Sequence, residues 1–475
     1  MTSEVAATAD SNHPPHNSRS FLGHPAGLGY IVFTEAWERF SFYGMQALLV
    51  LYMANYLLHP GAVEQVAAFA GFRALLEGVL GPLSTQALAT QIFGIYGGLI
   101  YLAPIFGGLL GDRVLGQRRA VVLGAVIMSL GHFLMALESA FLFALLALVL
   151  GCGLLKGNLA AQVGRLYEKN DQRRDAAYSI YYASINIGAF IAPLICGTLG
   201  EIYGWHYGFG VAGLGMLVGT AIYLAGRDRL PPDNLVRRGS GDALKPGEGR
   251  VIAGLLMVLA VTALFWTAQF QVWNAYVLWI RDRVDRVLFE TTVPVTWFPS
   301  LDSLAVLLLA PAIIAFWRWQ NRRRREPGDL DKIGIGCGIF ALACAWLALA
   351  DMLSAGGAVA IWWPAVFHFI CACGYLYVAP TALSLFSRAA PPSINAMMVG
   401  VYYLGLFFGS VFSGFLGRFY EILPAGGFWF LHAAIAGSGA VLVWLLRRPL
   451  LRLLEVPGSG RQGQERHDHS QEATV

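Results

Sequence analysis

Apolar residues in this chain come in long, nearly unbroken runs, and polar residues collect in the short breaks between them. A helix needs about 20 predominantly apolar residues to cross the hydrocarbon core of a bilayer. Runs of that kind occupy residues 28–57, 87–111, 119–138, 141–166, 178–200, 206–226, 250–280, 293–319, 333–354, 359–386, 393–421 and 427–447. The pattern predicts twelve membrane-spanning helices. The break at 227–249, RDRLPPDNLVRRGSGDALKPGEG, is rich in Pro, Gly and charge and divides the spans six and six. The expected plan is a polar N-terminal tail (1–27), a six-helix bundle (28–226), the linker (227–249), a second six-helix bundle (250–447) and a polar tail (448–475) whose composition reads as disordered.

Composition supports an all-α integral membrane protein. The chain is 56% hydrophobic and 13% charged, against about 25% charged in soluble domains. Two six-helix halves flanking a polar linker are the architecture of the major facilitator fold, in which the halves enclose a midplane cavity. The net charge of +4 is no nucleic-acid signal, because the basic residues sit in alternate breaks: Arg113, Arg118 and Arg119; Lys169, Arg173 and Arg174; Arg237 and Arg238; Arg322 to Arg325; Arg447 and Arg448. With twelve spans these lie on one side, and the positive-inside rule puts both termini and the linker in the cytoplasm. The expected location is the cell (inner) membrane, with the lipid bilayer and a small-molecule substrate as partners, no nucleic acid, and a monomeric state. Residues 1–27 lack the apolar core of a cleavable signal.

Several chemistries find no support. The six cysteines all fall within predicted spans, and Cys371-Ala-Cys373 is too tightly spaced for a zinc site. His467-Asp468-His469 reads as solvated tail, so no metal is expected. The sequence has no Walker motif and no catalytic order of Ser, His and Asp, so it does not read as an enzyme. Glycines at Gly94, Gly97 and Gly98, and at Gly107, Gly108 and Gly111, have the small-xxx-small spacing that brings helices close together.

The informative chemistry is charge within the spans. Glu35, Glu38 and Arg39 lie in the first run, with Tyr43 and Gln46 continuing the stripe. Each charge at the centre of a span costs about 2.5–3.5 kcal/mol, so these three must face a protein interior or a wet cavity. Glu35 and Arg39, four residues apart, share a helix face. Lys156 in the fourth run lies at a similar depth, roughly 15 Å in at 1.5 Å per residue; Tyr101 in the second is level with it and Asn186 in the fifth slightly shallower. The four charges sum to zero, which makes their burial tolerable. In the second half Asp302 has no evident basic partner in the sequence and is a candidate proton or amine site. His368, two turns before Tyr375 and on its face, is a weaker one.

The stretch Glu35-Ala-Trp-Glu38-Arg39-Phe40-Ser41-Phe42-Tyr43-Gly44 resembles the ExxERFxYYG signature of the proton-dependent oligopeptide transporters, a branch of the major facilitator superfamily. Further segments are similar in order: Gly107-Gly108 with Asp112-Arg113 and Arg118-Arg119; Gly153-Leu154-Leu155-Lys156-Gly157-Asn158; Arg173-Arg174-Asp175 running to Tyr182 and Ile185-Asn186-Ile187-Gly188; and Gly204-Trp205-His206-Tyr207-Gly208-Phe209. The resemblance implies a proton-coupled symporter that imports di- and tripeptides or peptide-like solutes by alternating access, with protons as the coupling ion and no other cofactor. It implies that Arg39 binds a substrate carboxylate, that Glu35 and Glu38 join in proton coupling, that Lys156 pairs with Glu38, and that Tyr43, Tyr101 and Asn186 line the site.

The second half departs from the family pattern. Phe270 stands where a span-7 glutamate is usual, with Gln269 beside it, and Gln46 replaces the span-1 arginine that this glutamate bridges. Tyr375 replaces the span-10 glutamate, Asp302 a span-8 asparagine and Tyr402 a span-11 tryptophan. The substrate set is therefore Arg39, Tyr43, Tyr101, Lys156, Asn186, Gln269, Asp302, Tyr375 and Tyr402. Either Asp302 meets the substrate amine, or the substrate is an anionic or N-modified solute; a sensor that binds without transporting is the other reading.

Overall fold

The computed structural model describes residues 20–168, 170–233, 235, 247–391 and 394–454. Lys169, Arg237-Arg238 and His467-Asp468-His469 lie outside the described residues. Fourteen α-helices appear among those described: α1 (Ala26–Tyr52), α2 (Phe69–Leu80), α3 (Thr85–Leu110), α4 (Gln117–Leu134), α5 (Phe141–Arg165), α6 (Arg173–Ala192), α7 (Trp205–Ala225), α8 (Glu248–Gln269), α9 (Ala275–Arg283), α10 (Trp297–Arg322), α11 (Asp329–Leu353), α12 (Trp362–Ala389), α13 (Asn395–Gly417) and α14 (Ala425–Leu454). Among the described residues the strands are a parallel pair, Val284–Asp285 with Val359–Ala360, and a hairpin, Val287–Leu288 with Thr291–Thr292.

Among the described residues, ten helical segments are long and apolar enough to cross a membrane. Two expected spans are not among them, for visible reasons. The apolar run of α1 is interrupted by Glu35, Glu38, Arg39 and Gln46, and α4 is only 18 residues long and begins Gln117-Arg118-Arg119.

Two expectations need correction. The run 250–280 is not one helix: α8 ends at Gln269, a 3-10 turn covers Phe270–Trp273, and Asn274 at φ −116, ψ −108 breaks the path before α9. The buried Gln271 stabilises this break: it accepts from the Ala275 N–H (3.2 Å), a group the break leaves open, and donates to Ser413 O of α13 (3.0 Å). The last helix does not stop at 447 but continues to Leu454 through Pro449. The start of the linker is docked: Asp233 takes the N–H of Arg118 at 2.7 Å, and Arg165 Nη2 donates to Pro232 O at 2.5 Å.

Close helix contacts follow the small residues. A Cβ on Gly124 would lie 2.6 Å from Gly151 O, which fixes α4 on α5; Gly108, by contrast, faces open space. Between the halves, a Cβ on Gly94 of α3 would lie 2.7 Å from both the Gly414 Cα and the Ser410 O of α13. These obstacles are backbone and cannot swing aside. Gly94→Val is therefore expected to force α3 from α13 and to lower stability by about 1–3 kcal/mol, the usual cost of overpacking; thermal melting of the purified variant measures it.

The seam between the halves is further bonded at the end carrying residues 53–84, 284–296 and 418–424. Glu201 accepts the N–H groups of Val295 (3.0 Å) and Thr296 (2.8 Å) at the start of α10. Trp297 donates to Thr198 (2.8 Å), Arg418 to Leu80 O (3.0 Å) and Asn274 to Thr90 O (3.3 Å). Arg281 reaches Gln86 at 3.2 Å and also Asn55.

Candidate functional site

One face of α1 presents the charged stripe, because Glu35 and Arg39 are one helical turn apart. Glu35, Glu38 and Arg39 are buried, at 1%, 0% and 2% exposure. Arg39 Nε lies 3.1 Å from Glu35 Oε1 and also pairs with Glu38 Oε2. Gly188 of α6 permits the approach, since a Cβ there would meet Ala36 O and come within 3.0 Å of the Arg39 Cβ. Tyr181 on α6 stands beside Glu35, a neighbour that the motif reading passed over in favour of Tyr182. The cluster is not saturated: Glu35 Oε2, Glu38 Oε1 and Arg39 Nη2 have no hydrogen-bond partner. One arm of the guanidinium fork is thus free for an incoming acceptor.

Lys156 on α5 does not pair with Glu38 as the resemblance implied. Its Nζ lies over the Tyr101 ring, 4.6 Å from the centroid, and 6.0 Å from that of Phe42, and it makes no ion pair among the described residues. Both acids are already engaged by Arg39, whose Cζ lies 5.1 Å from the centroid of the same Phe42 ring. The two cations flank one aromatic ring, and cation–π attraction replaces the expected salt bridge. Asn158, two residues on, donates to Gly107 O (3.0 Å) and holds α5 against α3.

An aromatic bridge connects this cluster to the second half. Tyr43 lies 5.1 Å, ring to ring, from Trp273; Tyr101 lies 5.5 Å from Phe270, Phe270 5.8 Å from Trp266, and Trp266 6.1 Å from Tyr375. The structure therefore brings Tyr43, Tyr101 and Tyr375 into one wall. Phe270, noted only as a missing acid, is its central member, and Trp266 and Trp273 join it. The signal was present in the aromatic run Phe265-Trp266-Thr267-Ala268-Gln269-Phe270-Gln271-Val272-Trp273, whose rings are buried.

Three other expected residues have local partners. Asn186 donates to Tyr182 O on its own helix (3.0 Å), Tyr402 donates to Ala379 O (3.3 Å), and Gln269 accepts from the Cys371 thiol (3.6 Å). Asp302 is not the unpartnered acid that the sequence suggested. His368 Nδ1 on α12 lies 3.8 Å from Asp302 Oδ1 on α10, and His368 Nε2 is 2.8 Å from the Tyr276 hydroxyl on α9. The packing of α10 on α12 creates this neighbour, and a separation of 66 positions hides it from a reading along the chain. An apolar cavity of about 340 Å³ lined by Phe21, Tyr30, Phe33 and Ile222 contains none of the charged residues.

A family model described as the POT family matches residues 118–237 and 243–425. The peptide transporter YePEPT of Yersinia enterocolitica subsp. palearctica is 31% identical, and the alignment covers 94% of this chain and 98% of that protein. The crystal structure of peptide transporter POT in complex with sulfate is similar with a TM-score of 0.79 at 28% identity, covering 92% of this chain and 97% of that one. A POT family transporter crystallised with 5-aminolevulinic acid is similar with a TM-score of 0.79 at 26% identity, covering 91% and 98%.

Proposed function

The chain belongs to the POT family, and from that premise we propose that it is a proton-coupled importer of di- and tripeptides or peptide-like solutes, working by alternating access. The observation that carries the reading is the buried Arg39, held between Glu35 and Glu38 with Nη2 unpaired. A substrate carboxylate competes with the acids for this fork. A proton on either acid weakens its hold on Arg39 and releases the guanidinium to the substrate, which is how proton and substrate binding become linked.

In this proposal α1 and α4 also span, giving twelve membrane helices in two bundles (26–225 and 248–454), with the linker between them and both termini in the cytoplasm of a cell whose inner membrane holds a monomer. The bonded seam at Glu201, Arg281 and Arg418 is then the outer gate, and the conformation is closed outward. Tyr43, Tyr101, Lys156 and Tyr375 line the substrate path, with Asn186, Gln269 and Tyr402 at its edges. Protons are the coupling ion and no other cofactor is invoked; the chain is a transporter rather than an enzyme.

Labelled-dipeptide uptake by proteoliposomes under an inward pH gradient tests the reading. Uptake above the equilibrium level is expected, and none under any gradient refutes it. A second reading, a sensor or a carrier of anionic or N-modified solutes, draws on Gln46 and Phe270, where the acid–base pair usual in the family is absent. Counterflow separates the two, because a sensor binds without moving label.

Asp302 serves as the acid for the substrate amine. Asp302→Asn is expected to weaken binding of a free dipeptide by about 1–3 kcal/mol, the range for a charge-assisted hydrogen bond, and to leave its N-acetyl form almost unchanged. Titration calorimetry on both ligands measures this; an equal loss for both removes the amine role.

A further inference from the structure

We propose that Asp302, His368 and Tyr276 form a proton-binding site in the second half, at which a proton and the substrate amine exclude one another. The inference rests on the functional reading above for the amine, but not for the proton.

The geometry is that of a relay. His368 is completely buried, whereas the Asp302 side chain is 13% exposed, so a proton enters through the carboxylate. Asp302 Oδ1 and His368 Nδ1 both lack a hydrogen-bond partner, and they face each other at 3.8 Å. That separation is too long for a hydrogen bond, yet a small side-chain rotation closes it. On the far side of the ring the Tyr276 hydroxyl, 2.8 Å from Nε2, can donate to a neutral imidazole or accept from an imidazolium. Either protonation state of His368 therefore finds a partner.

Hydroxyls and thiols surround the pair. The titratable groups facing the pair are Tyr276 on α9, Cys371 and Tyr375 on α12, and Tyr43 on α1, with Cys344 of α11 behind Cys371. Tyr43 interacts electrostatically with both Asp302 and Arg39, so Arg39 is the cation on that side of the pair. His368 is the one ion-pair partner of Asp302 among the described residues.

Charge counting gives the exclusion. An empty site, carboxylate plus neutral imidazole, carries one negative charge. One proton taken from cavity water neutralises it, whether it settles on the carboxylate or on the ring, and the same proton returns to cavity water on release. A substrate ammonium neutralises the same single charge. Both together leave a net positive charge at membrane depth, a costly state. Proton entry thus expels the amine, and amine entry expels the proton.

The site also adjoins a joint in the fold. Tyr276 lies two residues past Asn274, where span 7 breaks and whose side chain bonds to Thr90 O in the other half. The protonation state of His368 is therefore read at the connection between α8, α9 and the seam.

The test is nuclear magnetic resonance of the full-length protein in lipid nanodiscs, with isotope-labelled imidazole rings, over about pH 5 to 8. The signal missing from His368→Gln identifies His368. If that variant does not fold, the signal displaced in both Asp302→Asn and Tyr276→Phe identifies it. We expect this signal to titrate, and its midpoint to fall by about one pH unit or more in Asp302→Asn, since a nearby carboxylate favours the imidazolium. A saturating free dipeptide should lower the midpoint in the wild type, while its N-acetyl form should not. A ring that does not titrate, or a midpoint unmoved by Asp302→Asn, overturns the proton site. A midpoint unmoved by a free dipeptide that calorimetry shows to be bound overturns the exclusion. Binding of neither peptide refutes the peptide reading and the exclusion with it, and the ligand-free titration still decides the proton site.

Discussion

Arg39→Ala is expected to abolish peptide uptake and counterflow while leaving a protein that purifies folded. Arg39 is the only cation paired with Glu35 and Glu38 among the described residues, and Lys156 is held on the ring of Tyr101 rather than on either acid. Without the guanidinium a substrate carboxylate meets two carboxylates and no compensating fork. Removing one member of a buried ion pair costs about 3–5 kcal/mol when the remaining charge stays. Here the acids can take up protons and become neutral, which avoids most of that penalty. The expected signature is a modest drop in melting temperature with complete loss of transport. Arg39→Lys should also lose most activity, because a single ammonium cannot hold both acids and present a second planar arm to a carboxylate. Uptake at the wild-type rate by Arg39→Ala in proteoliposomes would remove Arg39 from the site.

The two halves of the molecule were unequally visible in the sequence. The first half announces itself because its chemistry lies on one helix: Glu35, Glu38 and Arg39 are neighbours along the chain, and helical periodicity alone places Glu35 against Arg39. The second half is assembled across helices. Asp302 and His368 meet only because α10 packs on α12, and the rings of Phe270 and Trp273 meet Tyr101 and Tyr43 only because the two halves pack together. The break at Asn274 falls inside the run 250–280, which hydropathy reads as one span. The position of Lys156 was missed for a similar reason. Depth along a helix places it level with Glu38, but azimuth decides whether it meets an acid or an aromatic face, and Tyr101 and Phe42 supply the face. Hydropathy also marks spans poorly where function requires polarity, which is why α1 carries the candidate site and yet falls outside the ten strongly apolar segments.

Glu35→Gln and Glu38→Gln are each expected to abolish proton-driven accumulation while preserving exchange. Glutamine matches glutamate in shape but carries no charge, so either variant mimics a permanently protonated acid. With Glu38→Gln, Arg39 keeps Glu35 at 3.1 Å and the pair remains intact. The charges of Glu35, Arg39 and Lys156 then sum to +1 instead of the zero carried by the four-residue set. A substrate carboxylate restores neutrality without any proton, so binding should persist and lose its pH dependence. The loss is large, because one pH unit of gradient is worth about 1.4 kcal/mol per coupled proton, or tenfold in accumulation. An uncoupled variant forfeits that whole factor for each proton it no longer moves. Labelled-substrate accumulation under an imposed gradient, measured beside counterflow at equal pH, separates the two activities. If both variants still concentrate substrate as the wild type does, the coupling proton does not pass through Glu35 or Glu38, and the coupling role of these two acids is refuted.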